Sequence, residues 1–189
     1  MTDPLMAKVE MARRYEVVSD GMQVARLLER FLRMRNTVGG RGDMSRLALR
    51  KTVTFLGQVP LFRNLSKGQL QSLARSMARR RFAAGEEMVR QGKGGVALFV
   101  VVSGKAEAVH TRVDGTQVVV NTFGPTDFFG ELAMLHNQPR TASVVALEDT
   151  ECLVLVQWEF MGKLRQYKGM ATAILQEQSR RFQRAMAVL

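Results

Sequence analysis

The sequence predicts an α+β fold, an antiparallel barrel or sandwich with helices before and after it. Three observations predict it. Short apolar runs broken by glycine-bearing turns fill residues 81–158. Apolar residues at three-to-four spacing flank that region on both sides. A single helical turn, Glu131–Leu135, interrupts the strand series.

Along the chain, residues 5–35 read as helical, with Val18, Met22, Ala25, Leu28 and Leu32 on one face and Arg26, Arg30 and Arg33 on another. Asn36–Asp43 is rich in turn residues and reads as a linker. A second helix is expected over Ser45–Leu56, with Ser45 as its cap. Pro60-Leu-Phe62 begins a more compact region, and Ser66 caps an amphipathic helix that runs through Met77 with Leu70, Leu73 and Met77 on one side. Strands follow at 88–92, 96–102, 105–112, 117–123, 141–147 and 152–156. Asp114-Gly115 is a strong hairpin turn between two of them. Beyond Gln157 the pattern is helical again. Glu159–Arg165 forms one short helix, Gly169 breaks it, and Met170–Val188 forms a longer one with a packing stripe of Ala173, Leu175, Ser179, Phe182 and Met186.

Composition narrows the function classes. A chain of 189 residues with 46% hydrophobic and 24% charged residues is globular and large enough for a real core. The net charge of +11 and pI near 10.8 favour anionic partners or a solvated basic face. Cys152 is the only cysteine; lying in an apolar run, it reads as an inert buried residue. No stretch reaches the ~18 apolar residues of a membrane span, and no basic n-region precedes an apolar one at the N-terminus, so the cytoplasm is the default compartment. His110 and His136 lack metal-ligand spacing, and no Ser-His-Asp or Cys-His set can be assembled. The expectation is a non-enzymatic protein without a metal.

The segment that carries chemistry is Phe128–Val144. Gly130 lets backbone approach a ligand closely. The helical turn after it presents free amides to an anion. Nine residues after Glu131 comes Arg140, a permanent cation with paired donors for phosphate, and Thr141 adds a hydroxyl. Glu131 is an acceptor suited to a sugar hydroxyl. One carboxylate, one guanidinium and a set of amides fit a ligand with both sugar and phosphate. The plainer alternative is a surface Glu131–Arg140 ion pair, worth about 0–1 kcal/mol.

This segment resembles the phosphate-binding cassette of cyclic nucleotide-binding domains, the type found in catabolite activators, kinase regulatory subunits and cyclic-nucleotide-gated channels. Leu61-Phe62, Ala84-Gly-Glu, Arg90-Gln-Gly92 and Phe99 through Gly104 are also similar to that family, so the likeness covers about residues 58–185. The resemblance implies an antiparallel β-roll, jelly-roll-like, and a domain plan of an N-terminal helical region (1–56), the nucleotide-binding roll (57–158) and C-terminal lid helices (159–189). It implies cAMP or cGMP as ligand. Glu131 then accepts from the ribose 2′-hydroxyl and Arg140 holds the exocyclic phosphate oxygens. Gly130, Leu132, Ala133 and Ala142 contribute backbone contacts, and Val120 and Val144 form apolar walls. Thr141 favours cGMP, since threonine can also bond a guanine amino group.

The same resemblance implies a switch in which the last helix moves over the base, with Phe182 or Met186 as candidate caps. It leaves an effector protein docking through the N-terminal helices and a homodimer through the C-terminal helix as partners. DNA and membrane are disfavoured: no helix-turn-helix follows the last helix, and a solvated face accounts for the N-terminal arginines. The alternatives are a ligand-silent interaction module of the same fold, or a fragment of a DNA-binding regulator.

Overall fold

The computed structural model describes residues 46–136 and 138–186. The expected helix over 5–35, the linker after it and the Ser45 cap lie outside the described residues. Two helices lead, α1 (Arg46–Leu56) and α2 (Lys67–Ser76). The strands are β1 (Ala78–Phe82), β2 (Glu87–Val89), β3 (Ala97–Ser103), β4 (Ala106–Thr111), β5 (Gln117–Phe123), β6 (Phe128–Phe129), β7 (Ser143–Ala146) and β8 (Thr150–Val156). The helical turn α3 (Glu131–His136) sits between β6 and β7, and α4 (Gln157–Gln166) and α5 (Lys168–Met186) end the described chain. The strands pair antiparallel in two four-stranded sheets, ordered β1-β8-β3-β6 and β2-β7-β4-β5. This is the α+β jelly-roll-like plan.

Local chemistry explains several boundaries. Ser66 accepts from the Gln69 amide while the Gln69 side chain accepts from the Ser66 amide, a reciprocal capping box that starts α2. At the β4–β5 hairpin, Gly115 takes φ +85° and Asp114 Oδ1 accepts from the Thr116 amide. Gly104 ends β3 at φ +85°, where a β-carbon would come within 2.5 Å of the Asp149 carbonyl oxygen.

The central strands are buried on both faces, which is why they read as unbroken apolar runs. On β3, Leu98 and Val100 join a cluster with Leu56, Leu73, Phe160 and Met170 from the helices and Phe62 from the turn between α1 and α2. The intervening Phe99 turns the other way and stacks on Phe129, with ring centroids 5.0 Å apart and planes at 4°. Leu153 and Leu155 of β8 repeat the pattern toward the helices. Burying each such side chain contributes roughly 1.5–3 kcal/mol.

Three expectations are corrected. Strand β1 begins at Ala78, inside an arginine run that masks its alternation; it is an edge strand, where charged side chains are tolerated and discourage further pairing. Gly169 does not break the last helix. The break falls at Tyr167, whose amide still donates to the Lys163 carbonyl, and Gly169 lies inside α5. The packing face of α5 is also rotated from the expected stripe: Met170, Ala173, Ile174 and Glu177 are buried, while Leu175, Ser179, Phe182 and Met186 are exposed.

Candidate functional site

One face of the second sheet, the 128–144 segment and α5 enclose a hollow of about 650 Å³, a size suited to a small ligand. Its floor is a row across four strands. Val89 registers with Val144, Val144 with Ala108, and Ala108 with Asn121, and all four line the hollow. A bulge in β5 leaves Val120 without a register partner between Val119 and Asn121, which brings Val118 through Asn121 to the wall. The wall is therefore mostly apolar, and apart from Asn121 its charged and polar groups cluster at the 128–144 segment and on α5.

Arg140 is built into that wall. It is 8% exposed, and its Nη1 and Nη2 donate to the carbonyls of Gly130 and Ala97 at 2.9 and 2.8 Å. Its backbone is clipped to the 92–93 loop by Arg140 N–H to Lys93 O and Gly92 N–H to Arg140 O, both 2.8 Å. Two glycines make room for the guanidinium. Gly130 takes φ +96°, and a β-carbon there would lie 2.5 Å from Nη1; one on Gly95 would lie 2.9 Å from Nε. Among the described residues no carboxylate lies within ion-pair distance of Arg140, and burial lowers its pKa to about 10. A buried cation satisfied only by carbonyls retains its charge and further donors for an anion.

Glu131 opens α3 and is 1% exposed. Its Oε1 accepts from Gln178 Nε2 and, at 3.0 Å, from Arg181 Nη1. Its Oε2 is buried with no hydrogen-bond partner. Burial raises its pKa above the usual glutamate range, against the opposing pull of Arg181. The expected alternative of a surface Glu131–Arg140 pair is not what forms: both groups are buried, and Glu131 pairs with Arg181 instead.

The other expected residues reach the same hollow. Gly130, Leu132, Ala133, Thr141, Ala142, Val120 and Val144 all line it with Glu131 and Arg140. Thr141 is exposed, and its carbonyl bonds His110 Nδ1 at 2.7 Å. Phe182 and Met186, at 67% and 53% exposure, do not line it and make no capping contact here. Sequence reasoning missed Gly95, Asn121, Gln178 and Arg181. Gly95 reads as an ordinary turn residue, and Arg181 is one of two consecutive arginines on a charged helix with nothing to single it out.

Comparison with known proteins gives a consistent picture. A family model described as "Cyclic nucleotide-binding domain" matches residues 79–167. A cAMP-dependent protein kinase regulatory subunit of Mycosarcoma maydis is 39% identical over 97 residues, 51% of this chain and 18% of that protein. The N-terminal domain of a transcriptional regulator from Streptomyces coelicolor is 32% identical with a TM-score of 0.55, covering 69% of this chain and 93% of that one. A regulatory subunit of a cAMP-independent protein kinase A from Trypanosoma cruzi, bound to guanosine, is 26% identical with a TM-score of 0.61, over 68% of this chain and 44% of that one. The chain spans less than half the length of the curated relatives it matches, between 18% and 49%.

Proposed function

This chain belongs to the cyclic nucleotide-binding domain family, and from that premise we propose that its hollow binds a cyclic purine mononucleotide, cAMP or cGMP, as a regulatory signal. One observation carries the reading. Among the described residues, the same cavity holds a buried guanidinium with no carboxylate within ion-pair distance and a buried carboxylate oxygen with no donor. An exocyclic phosphate answers the first, and a ribose 2′-hydroxyl answers the second. Apolar Val89, Ala108, Val120 and Val144 leave a surface for the base or sugar.

A plain nucleoside, such as the guanosine bound to the Trypanosoma cruzi subunit, answers only the carboxylate and leaves Arg140 without its anion. The cyclic nucleotide is therefore favoured. Thr141 inclines the choice toward cGMP. In this reading residues 1–56 dock an effector, residues 159–189 act as the lid over the roll, and α5 offers a surface for a second copy. The protein acts by binding and not by catalysis.

The test is isothermal titration of the full chain with cAMP, cGMP and guanosine. At least one cyclic nucleotide is expected to bind more tightly than guanosine. Arg140→Ala should cost that ligand about 2–5 kcal/mol, the range for losing one partner of a buried charge pair. Thr141→Ala should cost cGMP more than cAMP. Silence with both cyclic nucleotides would favour the ligand-silent interaction module.

A further inference from the structure

We infer that His110 is a positioning residue for purine choice. By holding the main chain of Thr141 it keeps the Thr141 hydroxyl at the base, and so sets the preference for cGMP over cAMP. This inference rests on the cyclic-nucleotide reading of the same cavity and concerns which purine is taken there.

Arg140 and Thr141 are neighbours in the chain but are anchored to different parts of the molecule. The main chain of Arg140 is tied to the 92–93 loop, and its guanidinium to the carbonyls of Gly130 and Ala97. Thr141 belongs to no strand; β7 begins only at Ser143, opposite Val109 of β4. One residue further along β4, the ring of His110 reaches across and its Nδ1 meets the Thr141 carbonyl oxygen at 2.7 Å. A carbonyl oxygen only accepts, so Nδ1 carries the proton and, in the neutral ring, Nε2 has none.

His110 is held in its turn. The Gln91 side chain brackets the next residue, with Oε1 accepting from the Thr111 amide at 2.7 Å and Nε2 donating to the Thr111 carbonyl at 2.8 Å. The Gln91 amide donates to Ser143 Oγ at 3.0 Å, and that hydroxyl donates to Glu87 Oε1 at 2.9 Å. Gln91 thus ties the end of β4 to the start of β7, and the His110–Thr141 bond spans the same frame. His110 pairs in register with Val118, which lines the hollow, but is not itself among the lining residues. Its effect on a ligand passes through Thr141, which is. Losing the His110 donor frees the Thr141 peptide to turn, while Arg140 keeps all its own anchors. Phosphate recognition then survives and base recognition does not.

The discriminating quantity is the ratio of Kd for cAMP to Kd for cGMP, measured by titration calorimetry on the full chain. One neutral hydrogen bond changes affinity roughly 2- to 13-fold, and the wild-type ratio should lie in that range. In His110→Leu the ratio should fall to about 1 while the Kd for cAMP stays within about twofold, since a single neutral bond is lost and none at phosphate. His110→Asn puts an amide donor where Nδ1 stands and should restore most of the ratio. In the Thr141→Ala background, His110→Leu should change the ratio no further, as for residues that act as one unit. Should the Leu variant not fold, NMR of the ring nitrogens in the wild type reads the same bond: neutral His110 is expected to be protonated at Nδ1 and bare at Nε2. A neutral ring protonated at Nε2 alone overturns the inference. So do equal losses for both nucleotides in His110→Leu, a further fall in the Thr141→Ala background, or a wild-type ratio of about 1; each leaves the cyclic-nucleotide reading intact. A wild-type chain that binds neither cAMP nor cGMP overturns both.

Discussion

Glu131 works against folding. Its carboxylate is almost fully buried and only half satisfied, and burial raises its pKa despite Arg181, Gln178 and Arg140 nearby. A raised folded value means the native state holds this proton to higher pH than the unfolded chain does. Stability is then greatest below the ordinary glutamate range of about 4.3. It declines as pH climbs through that value toward the raised one. Each unit of such a shift costs about 1.4 kcal/mol near neutrality. The Glu131→Gln variant has no proton to lose there. Urea midpoints of the wild type and this variant, measured from pH 4 to pH 7, are expected to diverge, with the wild type losing ground as pH rises. Parallel curves would show that Glu131 is not held near its charge-intolerant limit. The cost makes physical sense if a ligand hydroxyl supplies the missing bond.

At the scale of elements, α5 is where burial and sequence pattern part company. Ile174 is 5% exposed and packs in the core cluster, whereas its neighbour Leu175 is 71% exposed. Ile174→Ala should cost about 2–5 kcal/mol in chemical denaturation, and Leu175→Ala should stay within about 0.5 kcal/mol. The reverse order would restore the stripe expected from sequence. That stripe misled because α5 carries two apolar series at helical spacing, one through Met170 and Ile174 and one through Leu175, Phe182 and Met186. Periodicity finds a helix but cannot say which series meets the core. Elsewhere the physics was legible. Strands β3, β5 and β8 announce themselves by valine-rich runs between turns, and Ser66 with Gln69 announces a helix start. Glu131 and Arg140 were readable because their chemistry and spacing belong to one short segment. Arg181 and Gln178 were not, since their role depends on a helix packing back across 47 or 50 residues of chain.

Taken whole, the molecule brings its binding surface together from distant parts of the sequence. Val89, Ala108, Val120, Arg140 and Gln178 line one hollow, yet they come from β2, β4, β5, the segment before β7, and α5. An unfolded chain holds no two of these walls together, so a ligand that uses them binds the native state alone. Such a ligand raises stability by RT ln(1 + [L]/Kd), about 2.7 kcal/mol at one hundred times Kd. For a domain of roughly 150 residues, 1 kcal/mol moves the melting temperature by about 2–4 °C. The preferred cyclic nucleotide at that excess should therefore raise Tm by roughly 5–10 °C, as followed by circular dichroism or calorimetry. The increment should shrink sharply in Arg140→Ala, because the unfolded reference is unchanged and only the native-state affinity falls. Inorganic phosphate at the same concentration should do little, since it meets the guanidinium but neither the carboxylate nor the apolar floor. A shift of equal size from phosphate alone would mean that charge at Arg140, and not the assembled hollow, governs binding.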